Sequence, residues 1–244
     1  MRSAAPADVE RLERLAAPAD AAFVATGRAR FRSADAEVEG ELELRIDPPE
    51  RAWLEIRSRA LFGMVGERVV ASLPGDGWLV VLQERASRLE RVPFDSTQIA
   101  WICPQGDPAS FLALARGRLP AWLVGEAQRA RAGAGSPAER FELDVAPERG
   151  GGTLLLRLDG DRLRELEWRV QGERRVWMRY ERYESVGAGV VPTRLSLEAP
   201  GAGIQAELEL LEVDARPGLG PADFEVGGTW NPVPNRGVDH DRGA

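Results

Sequence analysis

The 244-residue chain has very little of what most protein chemistry uses: one cysteine, one histidine and no lysine. A lone Cys103, beside Trp101 and Ile102, excludes an internal disulfide and a cysteine zinc site and reads as an inert buried thiol. A lone His240, set in the solvated run Asp239-His240-Asp241, leaves no Ser-His-Asp or Cys-His arrangement for a folded body and no histidine-rich metal centre. Nucleotide-binding glycine motifs, a Gly-x-Ser-x-Gly elbow and a His-Glu-x-x-His helix are all missing. No run of about 18 apolar residues is present to span a bilayer. The first residues, Met1-Arg2-Ser3-Ala4-Ala5-Pro6, carry no apolar signal region, so the expectation is a cytosolic chain or a mature domain whose targeting segment has been trimmed.

From these absences we expect no enzyme, no cofactor and no metal. Carboxylates are plentiful, but they fall mainly at outward strand positions, which weighs against a glycosidase-like pair. The 32 basic and 39 acidic residues give a net charge of −7, which argues against nucleic acid as a partner and against an anionic membrane by net charge alone. Arginine without lysine, with abundant alanine and glycine, reflects GC-rich coding more than function. With 43% hydrophobic and 29% charged residues, the composition is that of a globular chain, expected to be monomeric.

What is present is alternation. Val9, Leu12 and Leu15 recur every third residue and predict an amphipathic helix within 6–20 that packs on a sheet. From residue 21 the period becomes two. Val38, Gly40, Leu42, Leu44 and Ile46 face one way, and Glu37, Glu39, Glu41, Glu43, Arg45 and Asp47 face the other, as only a strand allows. Asp47-Pro48-Pro49-Glu50 is a turn, and Ala52, Leu54 and Ile56 return in a second strand. Further strands are predicted over 64–73, 76–83, 87–92, 121–131, 137–146, 152–159, 162–171, 174–184, 191–199 and 203–214. Asp107-Pro108-Ala109-Ser110 starts a helix that Gly117 closes, and Pro221-Ala222-Asp223-Phe224 forms a last helical turn. The predicted fold is mainly β: a single curved antiparallel sheet, an incomplete half-open barrel, with a few covering helices. Its parts are the helix within 1–20, the sheet domain over 21–230 and a flexible tail over 231–244.

So many amphipathic strands carry more inward apolar positions than two short helices can cover, so the sheet must curl, split or close. The predicted concave face holds Val38, Leu42, Leu44, Ile46, Leu54, Ile56, Val80, Trp168, Met178, Leu195 and Leu208. Two readings of it stay open: a packed core, or an apolar cavity for a ligand. The reversal Ala60-Leu61-Phe62-Gly63-Met64-Val65 is apolar where hairpin tips are polar. Leu61, Phe62 and Met64 either plug the sheet mouth or project toward a membrane, an acyl chain or a partner. The basic run Arg174, Arg175, Arg179 and Arg182 reads as a solvated face paired with neighbouring glutamates.

The order of these features resembles the LolA/LolB-like group of bacterial lipoprotein-sorting proteins, over about residues 8–231. The features are the N-terminal helix, Thr26-Gly27-Arg28-Ala29, the long second strand and the tip Leu61-Phe62-Gly63. Leu114-Ala115-Arg116-Gly117-Arg118-Leu119-Pro120, Val191-Pro192-Thr193-Arg194-Leu195 and Pro221-Ala222-Asp223-Phe224 complete the set. The resemblance implies an apolar cavity that accepts lipoprotein acyl chains, in the periplasm or at the periplasmic face of the outer membrane. It also places Phe62 where the outer-membrane acceptor carries an exposed leucine that helps hand lipoprotein to the membrane. The acceptor is lipid-anchored through an N-terminal cysteine that this sequence does not contain, so the expectation is anchoring through a trimmed segment or none. The alternative is a non-enzymatic interaction domain of an envelope assembly with a filled core.

Overall fold

A computed structural model describes residues 2–17, 21–34, 37–58, 67–84, 88–97, 102, 107–127, 129–133, 139–187 and 189–226. The tip residues Leu61, Phe62 and Met64, the tail over 231–244, Cys103 and His240 lie outside them.

The strands are β1 (Arg2–Ser3), β2 (Phe23–Arg32), β3 (Glu37–Asp47), β4 (Arg51–Arg57), β5 (Arg68–Pro74), β6 (Trp78–Gln83), β7 (Arg88–Pro93), β8 (Arg131–Ala132), β9 (Arg140–Asp144), β10 (Thr153–Asp159), β11 (Arg162–Val170), β12 (Glu173–Val186), β13 (Gly189–Ala199) and β14 (Ile204–Ala215). Among the described residues three α-helices accompany them: α1 (Pro6–Ala16), α2 (Pro108–Ala115) and α3 (Val124–Ala127). All fourteen strands form one sheet in the order β1-β8-β9-β10-β11-β12-β13-β14-β2-β3-β4-β5-β6-β7. Every pairing is antiparallel, and among the described residues β1 and β7 end the sheet unjoined, so the sheet is not closed into a barrel. Its seam is β14 against β2, from Gln205↔Arg32 to Ala215↔Phe23, which joins the two ends of the sequence in mid-sheet.

Two glycines let neighbouring strands close up on one another. A Cβ on Gly27 would sit 2.0 Å from the Glu209 carbonyl oxygen, beside the register shift at Leu210/Glu212, and one on Gly40 would sit 2.1 Å from the Arg57 carbonyl. Only a residue without a side chain permits backbones to approach so closely.

One predicted strand is wrong. The stretch 121–131 is a 3-10 turn (Ala121–Leu123) followed by α3, and only Arg131–Ala132 is extended. Leu119, Leu123, Ala127 and Ala130 are all buried, at spacings of four, four and three. That is the helical period, and it packs α3 against α1.

Candidate ligand-binding site

The concave face carries two apolar clusters. The first belongs to β8–β13 and is roofed by α1 and α3: Leu12 and Leu15 from α1, with Leu119, Leu123 and Ala127, cover Leu154, Leu156, Leu166, Trp168, Val176, Met178, Tyr180 and Leu195. It is closely filled. Tyr180 is 0% exposed, and its hydroxyl lies 3.3 Å from the Met178 sulfur. The second belongs to β2–β7: Phe23, Ala25, Ala29, Val38, Leu42, Leu44, Ile46, Ala52, Ile56, Leu73 and Leu79, with Phe94 and Leu112 above. Here Leu54, Val69, Ala71, Val81 and Val92 are only half-buried. Leu208 packs against both clusters.

Ten of the eleven residues predicted for the concave face therefore share that face, divided between two clusters. Val80 does not. It pairs with Ser72, whose hydroxyl bonds the Phe224 carbonyl on the outside of the sheet, so the inward residues of β6 are Leu79 and Val81. The error has a physical cause, because Trp-Leu-Val-Val-Leu-Gln is apolar on both faces. The outer set is wanted as well: Trp53, Val70, Leu82 and Phe224 form a small external cluster under the strap 219–226.

An apolar cleft of about 340 Å³ opens along α2. Its walls are Ala16 and Ala17 of α1's end, the Pro48-Pro49 turn, Ala109, Leu112 and Ala113 of α2, and Leu119, Ala121 and Trp122. Leu112 also belongs to the β2–β7 cluster, so the cleft adjoins the less covered half of the concave face. Asp107 caps α2, accepting from the Ser110 amide at 2.8 Å, and marks one end of the cleft, while Arg116 and Arg118 stand past the other end of the helix. Sequence reasoning missed this cleft. Its signal was the small-residue face of α2, Ala109 and Ala113, beside the proline turn.

A larger hollow of about 610 Å³ lies among the outer side chains of β10–β12, but its walls are Arg157, Arg164, Glu165, Arg179 and Glu181 with Trp177. Charges there are cancelled locally: Arg164 pairs with Asp159 at 2.6 Å, Arg179 with Glu181 at 2.8 Å. Apolar matter gains nothing in such a place. The basic run is likewise engaged, Arg174 with Glu167 and Arg182 with Glu209, each at 3.2 Å, and Arg175 over the Trp168 ring.

Below the apolar tip the hairpin stem is clamped. Glu55 is 1% exposed and receives Arg57 and, at 2.9 Å, Arg68. Burial by itself would raise the Glu55 pKa, but the hydrogen bonds from Arg68 and Arg57 outweigh it and hold the carboxyl below its ordinary range. Ser58 and Glu67 close the stem, with the Glu67 amide 2.6 Å from the Ser58 hydroxyl. Among the described residues no group of three metal-ligating side chains comes together, and no helix is long and apolar enough to cross a membrane.

No protein-family model and no curated protein matches the chain. Solved structures do. A LolA superfamily protein from Nitrosomonas europaea is similar at 16% identity and a TM-score of 0.51, covering 91% of this chain and 98% of that one. A putative outer membrane lipoprotein-sorting protein domain from Vibrio parahaemolyticus is similar at 12% identity and a TM-score of 0.52, covering 88% and 94%. A DUF1329 family protein from Desulfovibrio piger is similar at 12% identity and a TM-score of 0.53, covering 89% and 94%. The fold is thus LolA-like over about nine-tenths of the chain.

Proposed function

We infer that this domain is a non-enzymatic carrier or acceptor of acyl chains in the bacterial cell envelope, serving lipoprotein localisation in the periplasm or at the inner face of the outer membrane. The observation that carries the reading is the half-buried apolar surface of β2–β7, adjoining an apolar cleft beside α2. The likeness to a protein described as lipoprotein-sorting supports it. The cleft volume is at the low end of the roughly 300–1,000 Å³ typical of small-molecule sites, which suits one chain segment. Each methylene buried contributes about 0.8 kcal/mol, so a twelve-carbon chain gains on the order of 10 kcal/mol before the entropy of association is subtracted. Binding of this kind distinguishes chain lengths poorly. Release needs a competing apolar sink, which is the part the reading gives to Leu61, Phe62 and Met64 on their clamped stem. Native mass spectrometry of delipidated protein reloaded with a triacylated lipopeptide tests the reading. A 1:1 adduct is expected, and protein that stays ligand-free over the whole titration would overturn it.

A further inference from the structure

Although the protein is acidic overall, arginines gather beside the cleft. Arg116 and Arg118 line it. Arg118 reaches the Arg14 and Ala17 carbonyls at 2.7 and 3.0 Å, and its Nε meets no acceptor among the described residues. Tyr183 links it to two more. A Cβ on the neighbouring Gly117 would come within 2.7 Å of the Tyr183 hydroxyl, and the guanidinium carbons of Arg162 and Arg164 lie 5.6 and 5.7 Å from the Tyr183 ring centre. Arg11 and Arg14 reach the same end of the sheet through Asp161, at 3.6 and 3.2 Å.

Arg11, Arg14, Arg162 and Arg164 thus act on two carboxylates, Asp159 and Asp161, with Arg118 bonded to the Arg14 carbonyl beside them. Arg118 meets no carboxylate among the described residues, whereas Arg162 lies near enough to Asp159 to help hold that carboxyl below its ordinary range. Burial lowers the Arg118 pKa, as expected for a cation short of compensating charge. The acidic group lining the cleft, Asp107, stands past the opposite end of α2, a helix of eight residues or about 12 Å. The cleft is therefore apolar along its length and cationic at one end.

We propose that the ligand is an anionic amphiphile: its chain lies along α2 and its acidic head group sits at the guanidinium groups of Arg118 and Arg162. This rests on the acyl-chain reading above and adds the charge of the head. A guanidinium fork matches a phosphate or carboxylate, and desolvation by the surrounding alanine and proline side chains strengthens the contact.

Calorimetric titration with dodecyl phosphate and with dodecylphosphocholine, both below their micellar range, separates head from chain. Dodecyl phosphate should bind about tenfold more tightly, the ratio expected for one charge-assisted hydrogen-bonded pair. In Arg162→Gln, an exposed position, that preference should fall about threefold while dodecylphosphocholine binding holds, since a partly solvated charge contributes less. Equal affinities for the two heads would overturn the inference and leave the carrier reading standing. Failure of both to bind would overturn the two together. Displacement of dodecyl phosphate by equimolar inorganic phosphate would show a bare anion site and overturn the amphiphile, and so would a preference unchanged in both Arg162→Gln and Arg118→Gln.

Discussion

Two halves of one sheet, built from the same alternation, end in different states. In β8–β13 the described residues form a close roof: α1 and the segment leading into α3 lay Leu12, Leu15, Leu119 and Leu123 onto the leucines of the sheet, and Leu156 is 2% exposed. In β2–β7 the floor includes the small residues Ala25 and Ala29, and among the described residues the cover is Phe94, Phe111 and Leu112; Leu44 is 9% exposed and Leu54 more so. The first half is filled, and the second leaves apolar side chains half-buried. The packed-core reading describes β8–β13, and our proposal places the guest on the half-buried surface of β2–β7.

Charge insertion is the harshest way to probe this difference. Leu166→Asp, placed under the close roof, should cost about 5 kcal/mol and abolish cooperative folding, because an unpaired carboxylate has no route to water there. Leu44→Asp, in the β2–β7 half, should cost roughly 3 kcal/mol and leave a melting transition that can be followed by circular dichroism. If the two fall together, the halves are equally packed.

Truncation sharpens the same contrast. Leu156→Ala should lower stability by about 3 kcal/mol in urea unfolding, and Leu54→Ala by about 1 kcal/mol, since a half-buried side chain loses less transfer energy and leaves no closed void.

How much of this was legible in the sequence depends on how cleanly each strand alternates. β3 sets glutamates against Val38, Leu42, Leu44 and Ile46, and its face could be read directly. β6 is apolar on both sides, so periodicity cannot choose between them, and Val80 faces outward because the strap around Phe224 makes the outside apolar too. The helix at Val124–Ala127 was hidden because Pro120 and Trp122 sit in a run whose burial period shows only once α1 lies across it. The cleft escaped for a similar reason: Pro48-Pro49, α2 and the end of α1 are far apart in the chain, and no local pattern joins them.

Glu55 offers a pH-dependent test of the stem under the tip. Its carboxyl lies below its ordinary value of 4.5 when folded, so its contribution is present above that pH and is lost as pH falls through the folded value. Glu55→Gln should therefore cost about 2 kcal/mol at pH 7, with solvent access to both arginines limiting the loss, and the gap to wild type should close in acid. A gap independent of pH would mean that packing, not ionisation, holds the stem. The smallest effect is reserved for the corrected face: Val80→Thr should change stability by less than about 0.5 kcal/mol, and Val81→Thr by more than that, as read in parallel urea melts.

The central claim, that an acyl chain occupies the β2–β7 half beside α2, is tested most directly by Trp122, which lines the cleft. Titration with a lipopeptide brominated along its acyl chains should quench tryptophan fluorescence saturably at about one ligand per chain, and Trp122→Phe should remove most of that quenching without removing binding. Quenching that never saturates, or that is unchanged in Trp122→Phe, would contradict the account.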